Sequence, residues 1–191
     1  MTDATVVVHP DATLGHEYDV EAAEPKVGED VIIRAGTIVY CDVTIGDGFS
    51  TGHNALVREE TTIGDDVLVG TNTVIDGYSD LGSHVSLQTG VYVPSHTTIG
   101  SNVFLGPHAV LTNDPYPIRQ DVDLEGPTLE DGVSIGANAT VLPGVTVGEN
   151  AFVAAGAVVT EDIGQNKLAA GIPAAEYPLP EHLSAENTLN E

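Results

Sequence analysis

Large aliphatic residues recur along this chain at every sixth position. The series runs from Val27, Ile33, Val39 and Ile45 through Thr51 to Ile99, Leu105 and Leu111, and fourteen of its fifteen members are Val, Ile or Leu. Four residues beyond each comes a small or β-branched side chain, as at Val31, Thr37, Val43 and Val67, with Phe49 the large exception. Glycine commonly follows the large residue, as at Gly28, Gly46, Gly64, Gly82 and Gly100. The series pauses over Pro115 to Gly126 and resumes at Leu129, Ile135, Val141, Val147, Val153 and Val159. An amphipathic helix repeats about every 3.6 residues and a half-buried strand about every 2, so neither yields a strict six. A three-sided solenoid does. Each side is a short strand and a turn, with one large residue pointing into the prism.

A longer period gives the number of sides. The hexads Val43-Thr-Ile-Gly-Asp-Gly48, Thr61-Thr-Ile-Gly-Asp-Asp66, Thr97-Thr-Ile-Gly-Ser-Asn102 and Val145-Thr-Val-Gly-Glu-Asn150 are alike. From Val43 to Thr61 the interval is 18, and from Thr61 to Thr97 it is twice that. From Thr97 to Val145 it is again twice 18 once an in-frame insertion the length of 115–126 is removed. Each coil is therefore 18 residues long. The pattern predicts an all-β parallel β-helix of about seven coils over residues 25–162, with the segment 115–126 looped out. A partial coil around Val8 and Leu14 is expected within 1–24, and a tail over 163–191. Neighbouring coils should pair backbone to backbone about 4.8 Å apart.

Composition fits that core and narrows the partners. Trp is absent and Phe numbers only 3, whereas β-branched residues abound, and these suit stacked strands. Lys plus Arg number 5 against 29 Asp plus Glu, a formal charge of −24. That balance excludes nucleic acid and an anionic membrane surface, both of which need clustered cations. Self-repulsion at such charge strains a compact fold in dilute buffer, but at molar salt the Debye length falls to about 3 Å. A halophile's cytoplasm is the expected setting. The single cysteine, Cys41, leaves no intrachain disulfide. Met1 to Leu14 holds neither a basic n-region nor a long apolar run, which predicts neither signal peptide nor membrane span.

Stacked coils turn the corners into columns. One column reads Gly36, Asn54, Asn72, Gly90, His108, Asn138 and Gly156, and a second Asp30, Gly48, Asp66, His84, Asn102, Gly132 and Asn150. These are types that tolerate positive φ, His included, so His84 and His108 read as turn residues. The third column, Asp42, Glu60, Tyr78, His96, Asp114, Gly144 and Asp162, does not obviously answer to turn stereochemistry. His96 should lie one coil below Asp114, where the insertion leaves the solenoid. A histidine with carboxylates and a tyrosine under an excursion is a candidate acid–base site.

At these motifs the chain resembles the hexapeptide-repeat acyltransferase superfamily, over roughly residues 27–175. The resemblance implies a left-handed helix, against the usual crossover rule, and a homotrimer with sites between subunits. Leu105-Gly-Pro107, then Thr112-Asn-Asp-Pro-Tyr-Pro-Ile-Arg119 and the run Gly126 to Gly144, are similar to the sugar-nucleotide N-acetyltransferases of that superfamily. Its O-acetyltransferases carry a catalytic His in this loop, where this chain has Tyr116. The implied activity is acetyl-CoA-dependent N-acetyl transfer to the amino group of a nucleotide-linked amino sugar. His96 would be the base, Asn113 would hold the amine or polarise the thioester carbonyl, and Asp114 would set the His96 tautomer. Glu60, Tyr78, Tyr116 and Arg119 are the expected acceptor contacts. The closing coils look like the family's acyl-CoA groove, with Gly136, Ala154, Ala155, Gly156, Lys167, Gly171, Ile172 and Pro173 as expected contacts. Where the family usually places basic residues for the CoA phosphates, this chain has Ala175, Glu176 and Tyr177. The γ-class carbonic anhydrases share the fold but need a His-x4-His pair, which is missing here, so no metal is expected. An O-acetyltransferase, or a non-catalytic scaffold, are the alternatives; binding of acetyl-CoA separates enzyme from scaffold, and the acylated atom separates the two enzymes.

Overall fold

The chain is known from a computed structural model, which describes residues 5–185 and 187. The expected N-terminal coil and C-terminal tail therefore lie partly outside the described residues, at 1–4, 186 and 188–191. Strands of two to five residues assemble into three sheets of 10, 8 and 7 strands, with each strand hydrogen-bonded to its counterparts in the coils before and after. This is the architecture of a left-handed parallel β-helix. The eight-stranded sheet counts eight turns, seven full coils plus the partial one at Thr13–His16.

The register confirms the 18-residue coil. Ile45 pairs Ile63, Val69 pairs Leu87 and Val57 pairs Ile75, each 18 apart. Ile99 pairs Leu129 instead, because the excursion lengthens that coil by two whole hexads and leaves the frame unchanged. The large residues of the repeat form one continuous apolar core, nearly all of them fully buried. Its two sequence exceptions sit side by side. Phe49 occupies a small position and Thr51 a large one, and both are 0% exposed. Residues two apart on a strand share a face, so the extra volume of Phe49 is offset by the reduced volume of Thr51. The Thr51 hydroxyl is satisfied by that of Thr37 at 3.2 Å.

Nearly every corner is turned by a residue in the left-handed region. All seven members of the first column and all seven of the second have φ between 54° and 74°. In the third column Asp42, Glu60, Tyr78 and His96 adopt it as well, at 57°, 52°, 47° and 62°. The stack ends in a reversal: Lys167–Gly171 joins the ten-stranded sheet in parallel, and Ala174–Pro178 returns antiparallel to it.

Arg58 makes the only Lys or Arg ion pairs among the described residues, to Glu59 and Asp76. With so little internal neutralisation of a −24 charge, added salt should stabilise the fold by screening. We expect the melting temperature to climb by many degrees between dilute buffer and molar KCl. A melting temperature indifferent to KCl would overturn the halophile reading.

Candidate active site

The third corner lies between the eight-stranded and the seven-stranded sheets, and geometry there is more specific than the column suggested. Glu and Tyr are poor choices at positive φ. Elsewhere the same turn is made mostly with Gly, Asn and Asp, so Glu60 and Tyr78 hold a strain that the turn itself does not require. The two side chains face solvent, and the Tyr78 ring packs on His96 with centroids 5.5 Å apart. The His96 amide donates to the Tyr78 carbonyl at 3.0 Å, which fixes the two residues one above the other.

The excursion is rooted on this corner. The Asn113 side-chain amide donates to the carbonyl and hydroxyl oxygens of Ser95 at 3.1 and 3.0 Å, and Gly126 on the return donates to the His96 carbonyl at 3.1 Å. A Cβ at Gly126 would stand 2.6 Å from that carbonyl oxygen, so the returning chain can cross His96 only as glycine. Asn113 therefore anchors the excursion in this structure, with its donors engaged. The expected pairing of Asp114 with His96 is not made: Asp114 Oδ1 accepts from the Tyr116 amide at 2.8 Å, capping the excursion's first turn. Tyr116, Ile118 and Arg119 are exposed at the tip. Ile118 is wholly exposed and, although β-branched, sits at φ 63°.

A second group on this edge was not singled out from sequence. Arg58 grips both oxygens of Glu59, at 3.1 and 2.7 Å, and reaches Asp76 at 2.9 Å. The Tyr92 hydroxyl donates to the other Asp76 oxygen at 3.0 Å, and the Arg58 guanidinium lies 5.7 Å from the centre of the Tyr40 ring. Glu59 is buried, and its carbonyl accepts the Tyr78 amide, so the pair fastens the turn that carries Glu60 and Tyr78. Hydrogen bonds to Asp76 and Glu59 hold the Arg58 pKa above its ordinary value. The signal was available: Tyr40, Arg58 and Asp76 follow one another at the coil spacing of 18.

The expected acyl-CoA residues occupy a different corner. Gly136 directly follows the strand Ser134–Ile135 of the ten-stranded sheet, and a Cβ there would run into the Ala155 amide nitrogen. Gly156, at φ 72°, has nothing within 4 Å of its Cβ position, leaving an open shelf beside Ala154 and Ala155. Gly171 and Ile172 form the exposed tip of the terminal hairpin with Pro173, while Lys167 is half-buried at its base. Glu176, in place of the expected cation, accepts the Gly164 amide. This corner and that of His96 are opposite edges of the eight-stranded sheet, separated by six residues of extended chain, up to about 20 Å. Within one chain the two groups stand on different edges of that sheet and in different coils.

Residues 126–161 match the family model described as bacterial transferase hexapeptide (six repeats), and residues 60–95 match that of the hexapeptide repeat of succinyl-transferase. Those two segments therefore carry hexapeptide repeats of the kind that both models describe. Among solved structures it is similar to a Bacillus cereus protein provisionally described as an acetyltransferase, at 24% identity and TM-score 0.53, covering 90% of this chain and 86% of that one. It is also similar to a UDP-N-acetylglucosamine acyltransferase of Bacteroides fragilis, at 18% identity and TM-score 0.52, covering 93% and 74%. No curated protein sequence matches the chain.

Proposed function

We propose that this protein transfers an acetyl group from acetyl-CoA to the amino group of an amino sugar, as a homotrimer whose sites form between subunits. One observation carries the reading: the His96 corner and the Gly136–Gly156 corner stand on opposite edges of one sheet. A second copy that sets its Gly136–Gly156 edge against the first copy's His96 edge supplies both halves. The close approach of chain at Gly136 and the open shelf at Gly156 suit a pantetheine arm laid along backbone amides. Lys167 is the one cation near for the phosphates. A nucleotide-linked hexose is the acceptor that the segment Leu105 to Arg119 supports.

The chemistry asks little of the protein beyond placement. The neutral amine attacks the thioester carbonyl, a C–N bond forms and the C–S bond breaks. His96 takes the proton that the nitrogen loses and returns it to the departing thiolate. Packing against Tyr78 orients the imidazole, and the Arg58–Glu59 pair holds Tyr78. Asn113 keeps the excursion over the site. The test is thiol release from acetyl-CoA in molar KCl across a panel of amino-sugar nucleotides and free amino sugars. Absence of release with every acceptor, together with no binding of acetyl-CoA, would sink the enzyme reading. Product acetylated on oxygen would replace N-transfer by O-transfer.

Residues 115–126 should complete the site from a neighbouring subunit, since an exposed Ile118 in the left-handed region has no fold-level use. Replacing them with a short Gly-Ser turn should leave the circular dichroism spectrum and melting temperature near those of the parent, with activity abolished. Loss of folding would mean that the excursion supports the core.

A further inference from the structure

Three of the six tyrosines of this chain, Tyr18, Tyr40 and Tyr78, lie at the His96 edge in the coils before it, and the hydroxyl of a fourth, Tyr92, reaches toward that edge by donating to Asp76. His16 packs on Tyr40 with ring centroids 4.6 Å apart, and Tyr18 lies 6.2 Å from the same ring. The Tyr18 hydroxyl donates to Asp42 at 2.7 Å, and that hydrogen bond, with burial and the nearby charge of Glu60, holds its pKa well above the usual phenol range. Tyr18 and Tyr78 are nonetheless about half exposed, at 41% and 50%. Beside them, Lys26, Asp42, Thr44 and Glu60 line a shallow pocket of about 180 Å³. From Asp42 through Glu60 and Tyr78 to His96 the edge climbs three coils, about 14 Å at 4.8 Å each.

The fold accounts for little of this grouping. Apart from Phe49 the buried core is aliphatic, Tyr40 alone of the four packs against it, and the corner turn is served elsewhere mostly by Gly, Asn and Asp. Exposed tyrosine faces beside carboxylates recognise a pyranose: the electron-rich ring takes the C–H face of the sugar, and the carboxylates accept its hydroxyls. Charge narrows the class further. Arg58, at the centre of the strip, is already committed to Glu59 and Asp76, and the pocket's single cation, Lys26, shares the lining with three carboxylates, Glu24, Asp42 and Glu60, none of them ion-paired among the described residues. A diphosphate laid here would meet like charge, and an uncharged saccharide would not.

We propose that this strip is an extended acceptor subsite for an unphosphorylated saccharide chain, which runs from His96 over Tyr78 toward Tyr40 and Tyr18. The proposal rests on the acyltransferase reading and deepens it. The sugar that presents its amine at His96 is then one end of a longer glycan, and any phosphate the acceptor carries points away from the strip.

The probe is a series of uncharged N-acetylglucosamine oligomers of one to four units, titrated calorimetrically in molar KCl so that surface charge is screened. Affinity should rise at least 10-fold from the single sugar to the tetramer. Tyr40→Leu, which removes the ring but keeps an apolar side chain and is checked by melting temperature, should erase that gain and leave the single sugar unaffected. Uridine diphosphate should not compete. A flat length dependence, a gain that survives Tyr40→Leu, or displacement by uridine diphosphate would each overturn the strip. The two readings fail separately. Length-dependent binding without thiol release on any amino sugar rejects the acyltransferase, and thiol release without length dependence rejects the strip.

Discussion

His96→Asn should lower kcat by roughly 10²–10⁴-fold, the range lost when a positioned acid–base group is removed. Asparagine is the informative replacement because it enters the left-handed region readily. His96 makes its turn there, at φ 62°. The corner and its bond to Tyr78 are then preserved while the imidazole is lost. The melting temperature should hardly move. His108→Asn is the matched control: it makes the same turn at φ 59° in a column already served by Asn54, Asn72 and Asn138. It should be nearly silent in rate and stability. Wild-type kcat in His96→Asn, or a dead His108→Asn, would move the proton transfer elsewhere, with Tyr116 and the substrate's own amine next in line.

The largest effect on stability should come from Phe49. It is the largest fully buried side chain of the core, and Phe49→Ala should cost about 3–5 kcal/mol through lost burial and the cavity left behind. That corresponds to a fall in melting temperature on the order of 10 °C for a domain of this size. The compensation with Thr51 makes a sharper test. Phe49→Val removes volume and Thr51→Val restores the repeat but leaves the Thr37 hydroxyl one partner short. If the two positions share one volume, the double variant should be more stable than the sum of the single losses predicts, by about 0.5 kcal/mol or more. Strict additivity in urea denaturation would show that each residue is packed independently.

The solenoid was legible because its code is local and repeated: a large residue every six, a turn residue between, a coil every 18. The excursion was legible as a break in that count. The third corner was read only in part. From Asp42 to His96 its turn is the left-handed one of the other two, and its difference there lies in the residue types made to adopt it, Glu60 and Tyr78 above all. The partners of Asp114 and Asn113 were out of reach, since Tyr116 and Ser95 bond them through turn geometry that no spacing announces. Arg58, Glu59 and Asp76 lie just after strand ends, where the repeat is permissive, so their period drew no notice. Asn187 was equally hidden. Its side chain returns to Ser134 at 2.9 Å and to the Asn102 and Gly132 carbonyls, contacts spanning 53 to 85 residues with no repeat to carry them.

A stack of equivalent coils contains no internal instruction to stop. Each pairing reaches only one coil ahead, so the chain can zip upward coil by coil as it is synthesised, each new turn templated by the finished one beneath. The terminal hairpin supplies the full stop. By reversing at Gly171 and laying Ala174–Pro178 antiparallel on Lys167–Gly171, it presents the next arrival with a strand running the wrong way. A second molecule's first coil, which pairs in parallel at Val6–Val8, finds no matching edge there. On the ten-stranded sheet, the direction of one short strand thus blocks the parallel stacking of a further coil.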